Sequence, residues 1–470
     1  MMAGRVGKAA FSLMALLAIV LVVATVVEKF CGTPFINDYV YSSPLFVGLW
    51  AVLLLAALAY IVMRRAWLRG AALWLHLSFA VVLVGAFITY LTAERGTLYI
   101  CKDAPPASMF VTSDGSLVKF PFGITLQSCR VDVYDDTDVP RDYVAELSVE
   151  SPRAAAESVT ISMNNVYDRE GYRFCVSDVS GECVTLLVRH DVYGVPVTYA
   201  GYIMLLLSVV ALLAGKQGLW GALLRRLREG ASSFTGNKGG FFRGAIMLVS
   251  LIAFGVVSYE GVSRWVSSGV FPVSSGSDAL VFAAWCVQLF ALVFFRRLRC
   301  GSLFLCLLLF VVAVLCSGTS QGYVMPVLRT PLLFFHVFVI IISYVLIAFM
   351  ALNASVALCF YWFKGDVKHV ERMALLGRVV LYPATMLLAV GVFIGAVWAD
   401  MSWGRYWGWD PKEVWALVTL ILCSFGFHTR SLRFMNGSLA FHLFCVVAFF
   451  SMLFTFFGVN YLLGGLHSYA

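Results

Sequence analysis

Seven histidines are spread along the 470 residues, and four of them stand at the ends of apolar runs. His76, in Trp74-Leu75-His76-Leu77-Ser78, follows Arg69 by seven residues, which puts it about 10 Å into its run if that run is helical. His428 closes another run at a basic end, in Phe427-His428-Thr429-Arg430. His336 opens a third, five residues after Pro331, and His467 follows the last run in Gly464-Gly465-Leu466-His467-Ser468-Tyr469. An ionisable side chain at membrane depth is a functional candidate by default, although a single one also serves as a helix–helix hydrogen bond. Two imidazoles from different helices clamp an iron from both axial sides. Two such pairs therefore point to two iron-porphyrin sites in series. His190 and His369 read as surface residues, and His442 lies four residues into the last run.

The second candidate is the stretch 398–415. It contains Trp398, Asp400, Trp403-Gly404-Arg405-Tyr406-Trp407-Gly408-Trp409-Asp410-Pro411-Lys412-Glu413 and Trp415, and so five of the twelve tryptophans. An interfacial aromatic belt would spread over many helix ends and needs no glycine spacing. Here Gly404 and Gly408 interleave with Trp403, Trp407 and Trp409, and glycine lets backbone lie against a flat surface. Stacked indoles suit a large planar apolar ligand. Arg405 and Lys412 are placed to pair with its carboxylates. Asp410-Pro411-Lys412-Glu413 predicts a helix start, with Asp as N-cap, Pro at the first position and Glu at the third.

The elements that must position these residues are membrane helices. Apolar residues make up 61% of the chain and charged ones 13%, with a mean hydropathy of +0.87. That excludes a soluble domain, a disordered chain and a nucleic-acid binder, and the unbroken runs exclude an outer-membrane barrel. We expect a polytopic all-α membrane bundle of about eleven transmembrane helices: 11–27, 44–63, 71–92, 197–214, 241–259, 277–295, 301–317, 332–363, 379–398, 413–429 and 438–459. The first run lacks a small-x-small cleavage pattern and reads as a helix rather than a signal peptide. With the N-terminus cytoplasmic, twenty Lys and Arg fall inside and five in short outer segments, which sets the orientation and leaves the C-terminus outside. His76 and His428 then lie toward the inner face, His336 and His467 at the outer face. The net charge of +8 is a consequence of this asymmetry.

Residues 95–196 form an outer insertion. Segments 116–122, 144–150, 159–163, 172–178 and 184–190 alternate, with Asp-Gly, Ser-Pro, Arg-Glu-Gly and Ser-Gly-Glu between them, which predicts a small antiparallel β-rich domain. It holds Cys101, Cys129, Cys175 and Cys183, which allow three disulfide connectivities or four free thiols. Cys286, Cys306, Cys316, Cys359, Cys423 and Cys445 lie in apolar runs and read as small buried hydrophobes. The chain has no C-x-x-C and no C-x-x-C-H, hence no thioredoxin-type motif and no covalent haem site of its own.

The tryptophan stretch resembles the WWD signature of the haem-handling proteins of cytochrome c maturation, and 241–470 is similar to the CcsA (ResC) family through Phe457-Gly458-Val459-Asn460-Tyr461-Leu462 and His467-Ser468-Tyr469. The first half resembles CcsB (ResB): residues 1–94 with three helices, the outer domain 95–196, and 197–240 with a fourth helix and a basic linker. Trp74 to Ser78, Gly171-Tyr172-Arg173-Phe174 and Tyr199-Ala200-Gly201-Tyr202 carry that likeness. The outer domain, at about 100 residues, departs from the family in being short. The whole chain resembles a CcsBA fusion of the System II type.

The resemblance implies haem export and covalent haem attachment to the CxxCH motif of an apocytochrome c, that is, a holocytochrome c synthase. It implies His76 and His428 as axial ligands of haem b entering from the cytoplasm, and His336 and His467 as ligands of haem held against the loop. The implied catalytic set is His336, His467, Trp403, Trp407, Trp409 and Asp410. Haem contacts are implied for Trp398, Trp403, Gly404, Arg405, Trp407, Gly408, Trp409 and Lys412. It also implies a bacterial inner membrane and a thioredoxin-like partner that keeps client thiols reduced. Two other readings are a b-type electron-transfer subunit and a haem transporter without ligation activity. His428 and His442 have the fourteen-residue spacing of b-type ligands but fall on different runs.

Overall fold

An apolar run in lipid has no solvent for its amides, so it must satisfy them within itself, and each of the eleven expected runs is helical. The computed structural model describes residues 2–64, 70–112, 114–134, 138–151, 154–215, 218–229, 240–268, 276–294, 300–316, 330–429, 431–432 and 435–463. The first half contains α1 (Met2–Cys31), the short α2 (Thr33–Ile36), α3 (Pro44–Met63), α4 (Ala71–Thr92), α5 (Gly194–Ala214) and α6 (Leu219–Glu229). The second contains α7 (Gly240–Ser268), α8 (Gly276–Val293), α9 (Cys300–Cys316), α10 (Pro331–Lys364), α11 (Val367–Trp403), α12 (Pro411–Phe425) and α13 (Ser438–Leu453), which continues as a π-helix to Leu463.

Among the described residues eight helices are long and apolar enough to cross a membrane: α1, α3, α4, α5, α7, α10, α11 and α13 with its extension. The other three expected spans are helical but shorter, at 18 residues for α8, 17 for α9 and 15 for α12.

The largest apolar core is built by α10, α11, α12 and α13, with α5, α8 and α9 against it. The elements have readable stops. Thr330 caps α10 by accepting from Leu333 N–H, and Gly365 ends it in the left-handed region. Pro383 sits inside α11, where it removes the N–H that would serve the carbonyl four residues earlier. That carbonyl, Val379, accepts instead from Trp220 Nε1 at 2.9 Å, which docks α6 on α11.

Between α4 and α5 the chain forms one antiparallel sheet of eight strands: β1 (Glu94–Cys101), β2 (Ala107–Thr112), β3 (Leu117–Val133), β4 (Pro140–Ser151), β5 (Ala154–Ser162), β6 (Tyr167–Arg169), β7 (Tyr172–Ser180) and β8 (Cys183–His190). Their order is β5-β4-β3-β2-β1-β8-β7-β6. The sheet curls so that β4 and β5 also lie against β7, around a core that includes Phe110, Phe120, Phe122, Leu147 and Phe174. Three strands, β1, β2 and β6, go beyond the sequence expectation. Cys101 and Cys183, directly opposite on β1 and β8, form a disulfide, while Cys129 and Cys175 are free.

Of the intramembrane cysteines, Cys286, Cys306, Cys423 and Cys445 are buried as expected, but Cys359 is exposed. It lies on the last turns of α10, beyond the packed part of the bundle. The side chain of Cys316 lies outside the described residues.

Candidate functional site

The inner pair comes together from the two halves of the chain. The imidazoles of His76 on α4 and His428, in the 3-10 turn after α12, have centroids 6.1 Å apart and planes at 90°. Each Nδ1 is held by the carbonyl four residues earlier on its own helix: His76 by Ala72 O at 2.7 Å, His428 by Ser424 O at 3.0 Å. A hydrogen bond at one ring nitrogen fixes the tautomer and the orientation of the imidazole. Two imidazoles so placed could hold an iron between them. Phe11 of α1 lies 5.2 Å from the His428 ring, so a third helix packs against the pair.

At the other end of the bundle, His336 stands on the second turn of α10 and its Nδ1 lies 2.7 Å from Gly391 O on α11. Two glycines seat it. A Cβ at Gly395 would fall 2.6 Å from the imidazole, and one at Gly391 would meet Ile340 at 2.7 Å. Gly391 and Gly395 are a small-xxx-small pair, which brings two membrane helices close. His467, the expected partner, lies outside the described residues.

The tryptophan loop follows α11 directly. Gly404 ends the helix at φ +66°, and a Cβ there would meet Cys175 Sγ of β7 at 3.3 Å. Two pairs of indoles meet edge to face rather than face to face. Trp398 and Trp403 meet edge to face at 4.7 Å and 66°, Trp407 and Trp409 at 5.7 Å and 84°. Trp409 has one face against Tyr41, at 4.6 Å and 13°. Among the described residues it is also one of three non-glycine residues with positive φ, at +58°. For a bulky residue that conformation costs on the order of 1–3 kcal/mol and persists only when its surroundings hold it. Trp407 has a buried Nε1 without a hydrogen-bond partner among the described residues.

Packing gives protein partners to three of the expected haem contacts, Trp398, Gly408 and Lys412, and to the expected catalytic residue Asp410. Trp398 is buried within the bundle and presents no face to a ligand. Gly408 makes room for the Arg405 guanidinium rather than for a flat ligand. Lys412 Nζ donates to Asn460 Oδ1 at 3.0 Å. Asp410 is buried and serves as the N-cap of α12, in the capping box the sequence predicted. Glu413 completes that box, accepting from Gly408 N–H at 2.9 Å and Asp410 N–H at 3.3 Å. Arg405 is half-buried at the rim of the loop.

Sequence reasoning missed Asp400. Its carboxylate is buried and accepts from Arg173 of β7 at 2.5 Å, from Arg189 of β8 and from the Tyr199 hydroxyl of α5 at 2.6 Å. Arg189 also donates to Gly404 O at 3.0 Å. Nearby, Tyr406 donates to Thr89 of α4 at 2.9 Å, and Thr89 donates to Asp191 at 2.7 Å. An acidic residue at the end of an apolar run is a signal for a buried partner, but nothing local names arginines more than 200 positions away. The three remaining histidines have ordinary partners, and His369 lies against Asp366 and the Phe360 ring. His442 Nε2 lies 2.9 Å from Val370 O, and His190 stacks on Tyr172 at 4.1 Å.

Residues 273–467 match the family model described as cytochrome c assembly protein, and residues 62–189 match the ResB-like family. Protein NrfI of Wolinella succinogenes is 34% identical over 236 residues, 47% of this chain and 26% of NrfI. The cytochrome c biogenesis protein CcsA of Chlamydomonas reinhardtii is 34% identical over 222 residues, 44% of this chain and 63% of that protein. CcsA of Solanum lycopersicum is 28% identical over 265 residues, 47% of this chain and 83% of that one. The chain thus spans about a quarter of NrfI and less than two thirds of the algal CcsA. A ResB-like segment followed by a cytochrome c assembly domain in one polypeptide supports a fused CcsB/CcsA cytochrome c biogenesis protein.

Proposed function

We propose that this chain carries haem across a bacterial inner membrane and attaches it to the CxxCH motif of apocytochrome c. The observation that carries this reading is the imidazole pair His76–His428, 6.1 Å apart and contributed one from each half. Haem is the substrate here, as haem b. The inner pair receives it, and the outer end, with His336, His467 and the tryptophan loop, presents it to the client. The bundle has about eleven spans in this reading, with the N-terminus cytoplasmic, and one feature of the packing agrees with the sorting of its ends. Phe11, His76 and His428, all expected on the inner side, meet at one end, and Tyr60 of α3 joins them through Ser431 at 2.8 Å.

The chemistry asks little of protein nucleophiles. Each client thiol adds its sulfur and its hydrogen across one haem vinyl group, forming one C–S and one C–H bond with no net electron transfer. The thiols must arrive reduced, which calls for a thioredoxin-like partner. Catalysis is then positioning. Holding thiol and vinyl in near-attack geometry replaces a bimolecular encounter. Trp403, Trp407 and Trp409 supply the apolar platform, Arg405 a cation for a haem carboxylate, and His336 with His467 the axial ligands until the client histidine takes its place. Asp410 acts by capping the helix that carries the loop.

The test is the absorption spectrum of the detergent-purified full chain, oxidised and dithionite-reduced, beside cytochrome c yield in cells lacking other maturation machinery. A Soret band with sharp reduced α and β bands, lost in His76→Ala/His428→Ala, and cytochrome c absent in His336→Ala and His467→Ala, is the expected result. Export of haem with no covalent cytochrome would leave a transporter. A protein colourless with haem supplied would overturn the reading. The electron-transfer alternative would use His442, whose Nε2 is engaged by Val370 O.

A further inference from the structure

The tryptophan loop belongs to the CcsA-like half, yet what fixes its first turn belongs to the other half. Arg173 and Arg189 are register partners on β7 and β8, so their side chains leave the same face of the sheet. Like charges directly opposite in a sheet repel, and the carboxylate of Asp400 stands where it takes a hydrogen bond from both. Arg189 spans the hinge itself, reaching Asp400 on the last turn of α11 and the carbonyl of Gly404, where α11 ends and the loop begins. Tyr199 adds a third donor from α5. Beneath Gly404 lies Cys175, fully buried.

We propose that Arg173, Arg189 and Tyr199 are positioning residues for the outer haem site. By holding Asp400 they set the height and tilt of the tryptophan loop, so that the β domain is a structural part of the site. None of them touches haem in this account. The first part, that the cluster clamps the loop, stands on contacts alone. The second, that the clamp positions haem, rests on the function proposed above.

Cys175 reports on the clamp independently of haem. Burial pushes its thiol up to about 12, and only a thiolate reacts with maleimide. While the loop covers it, it is both shielded and protonated at pH 8. The experiment labels the full-length purified protein with N-ethylmaleimide and measures each cysteine by peptide mass, in wild type, Asp400→Asn, Arg189→Gln and Tyr199→Phe. The haem spectrum of each is compared with that of His336→Ala.

The expected result is at least a tenfold faster labelling of Cys175 in Asp400→Asn and Arg189→Gln, a smaller rise in Tyr199→Phe, and unchanged labelling of Cys129. The haem spectrum should move toward that of His336→Ala while inner-site haem is retained. If Cys423 and Cys445 also open in the charge variants, the bundle has unfolded, and Tyr199→Phe, which removes one hydroxyl only, decides. Protection of Cys175 in every variant that stays folded overturns the clamp. Labelling of Cys175 with a wild-type spectrum and cytochrome yield overturns the positioning role. A wild-type protein without haem would sink the proposed function, and Cys175 alone would then uphold or overturn the clamp.

Discussion

The two ends of the bundle are held in different ways. At the inner end each imidazole is anchored by its own helix, through the carbonyls of Ala72 and Ser424 four residues earlier. At the outer end His336 depends on another helix, through Gly391 O 55 positions away, and the tryptophan loop depends on another domain, through Arg173 and Arg189. His76 and Thr89, which belong to the two ends, are thirteen residues apart on α4, about 20 Å along its axis. A locally anchored ligand keeps its orientation whatever distant elements do. A ligand anchored across elements can respond to them. The comparison teaches that the inner end is built to hold and the outer end to be set by its surroundings, which suits a site that must admit a protein client.

The largest expected effect breaks the comparison at the inner end. His76→Ala with His428→Ala should lower haem per purified protein more than tenfold and abolish cytochrome c, because no haem reaches the outer end. Haem is quantified by pyridine haemochrome. Retention of wild-type haem in the double variant would show that the inner pair is not the entry site.

A smaller effect is expected from Gly395→Val. Its Cβ would fall 2.6 Å from the His336 ring, so the imidazole must leave its seat on α11. Cytochrome c yield should fall by about tenfold, as for a shift on the order of 1.4 kcal/mol in the population of the seated ring. Haem content should stay within twofold of wild type, and exogenous imidazole should restore part of the yield. Equal loss of haem would mean the two ends are not separable.

Much of the inner end was legible in the sequence, and little of the outer. His76 and His428 were sorted to one face by Lys and Arg asymmetry, a signal spread over the whole chain. Asp410 and Glu413 announced their helix start because a capping box is written within four residues. The turns at Gly115, Gly171 and Gly181, each with positive φ, marked the sheet. β1 was hidden because it opens on Glu94 and Arg95, straight out of α4, and β6 because three residues show no period. The Asp400 cluster was hidden for a different reason. Its members share no local pattern, and their meeting is a product of tertiary packing. The Gly391–Gly395 spacing was readable as a helix-contact motif, but not as the seat of a histidine.

Next in size is Phe11→Ala. The ring packs 5.2 Å from His428 and 6.1 Å from Tyr60, and it tests whether the inner site is held by its own helices alone. Since each imidazole keeps its carbonyl, haem content should fall no more than about threefold, and the reduced spectrum should keep its form. A loss as large as that of the double histidine variant would show that α1, rather than α4 and α12, sets the inner geometry. The difference would be read from haem content at saturating haem supply.

The smallest effect sharpens the outer end by separating the loop's two anchors. Its start is held by Asp400, its finish by Glu413, which accepts from Gly408 and Asp410 N–H. Asp410 still caps the helix when Glu413 is removed, so the cost sits at the low end for a cap, about 0.5 kcal/mol, or roughly twofold in the population of the capped form. Glu413→Ala should therefore lower cytochrome c yield about twofold. Glu413→Gln, whose amide oxygen can still accept both N–H groups, should recover most of it. Cys175 lies beneath Gly404, at the start of the loop, so its maleimide labelling should stay at the wild-type rate in both variants. If Glu413→Ala exposes Cys175 as fully as Asp400→Asn does, the loop moves as one rigid body from either end. If it does not, the start of the loop is set by the β domain and its finish by α12, and the tryptophans between them are held from both sides by different halves of the chain.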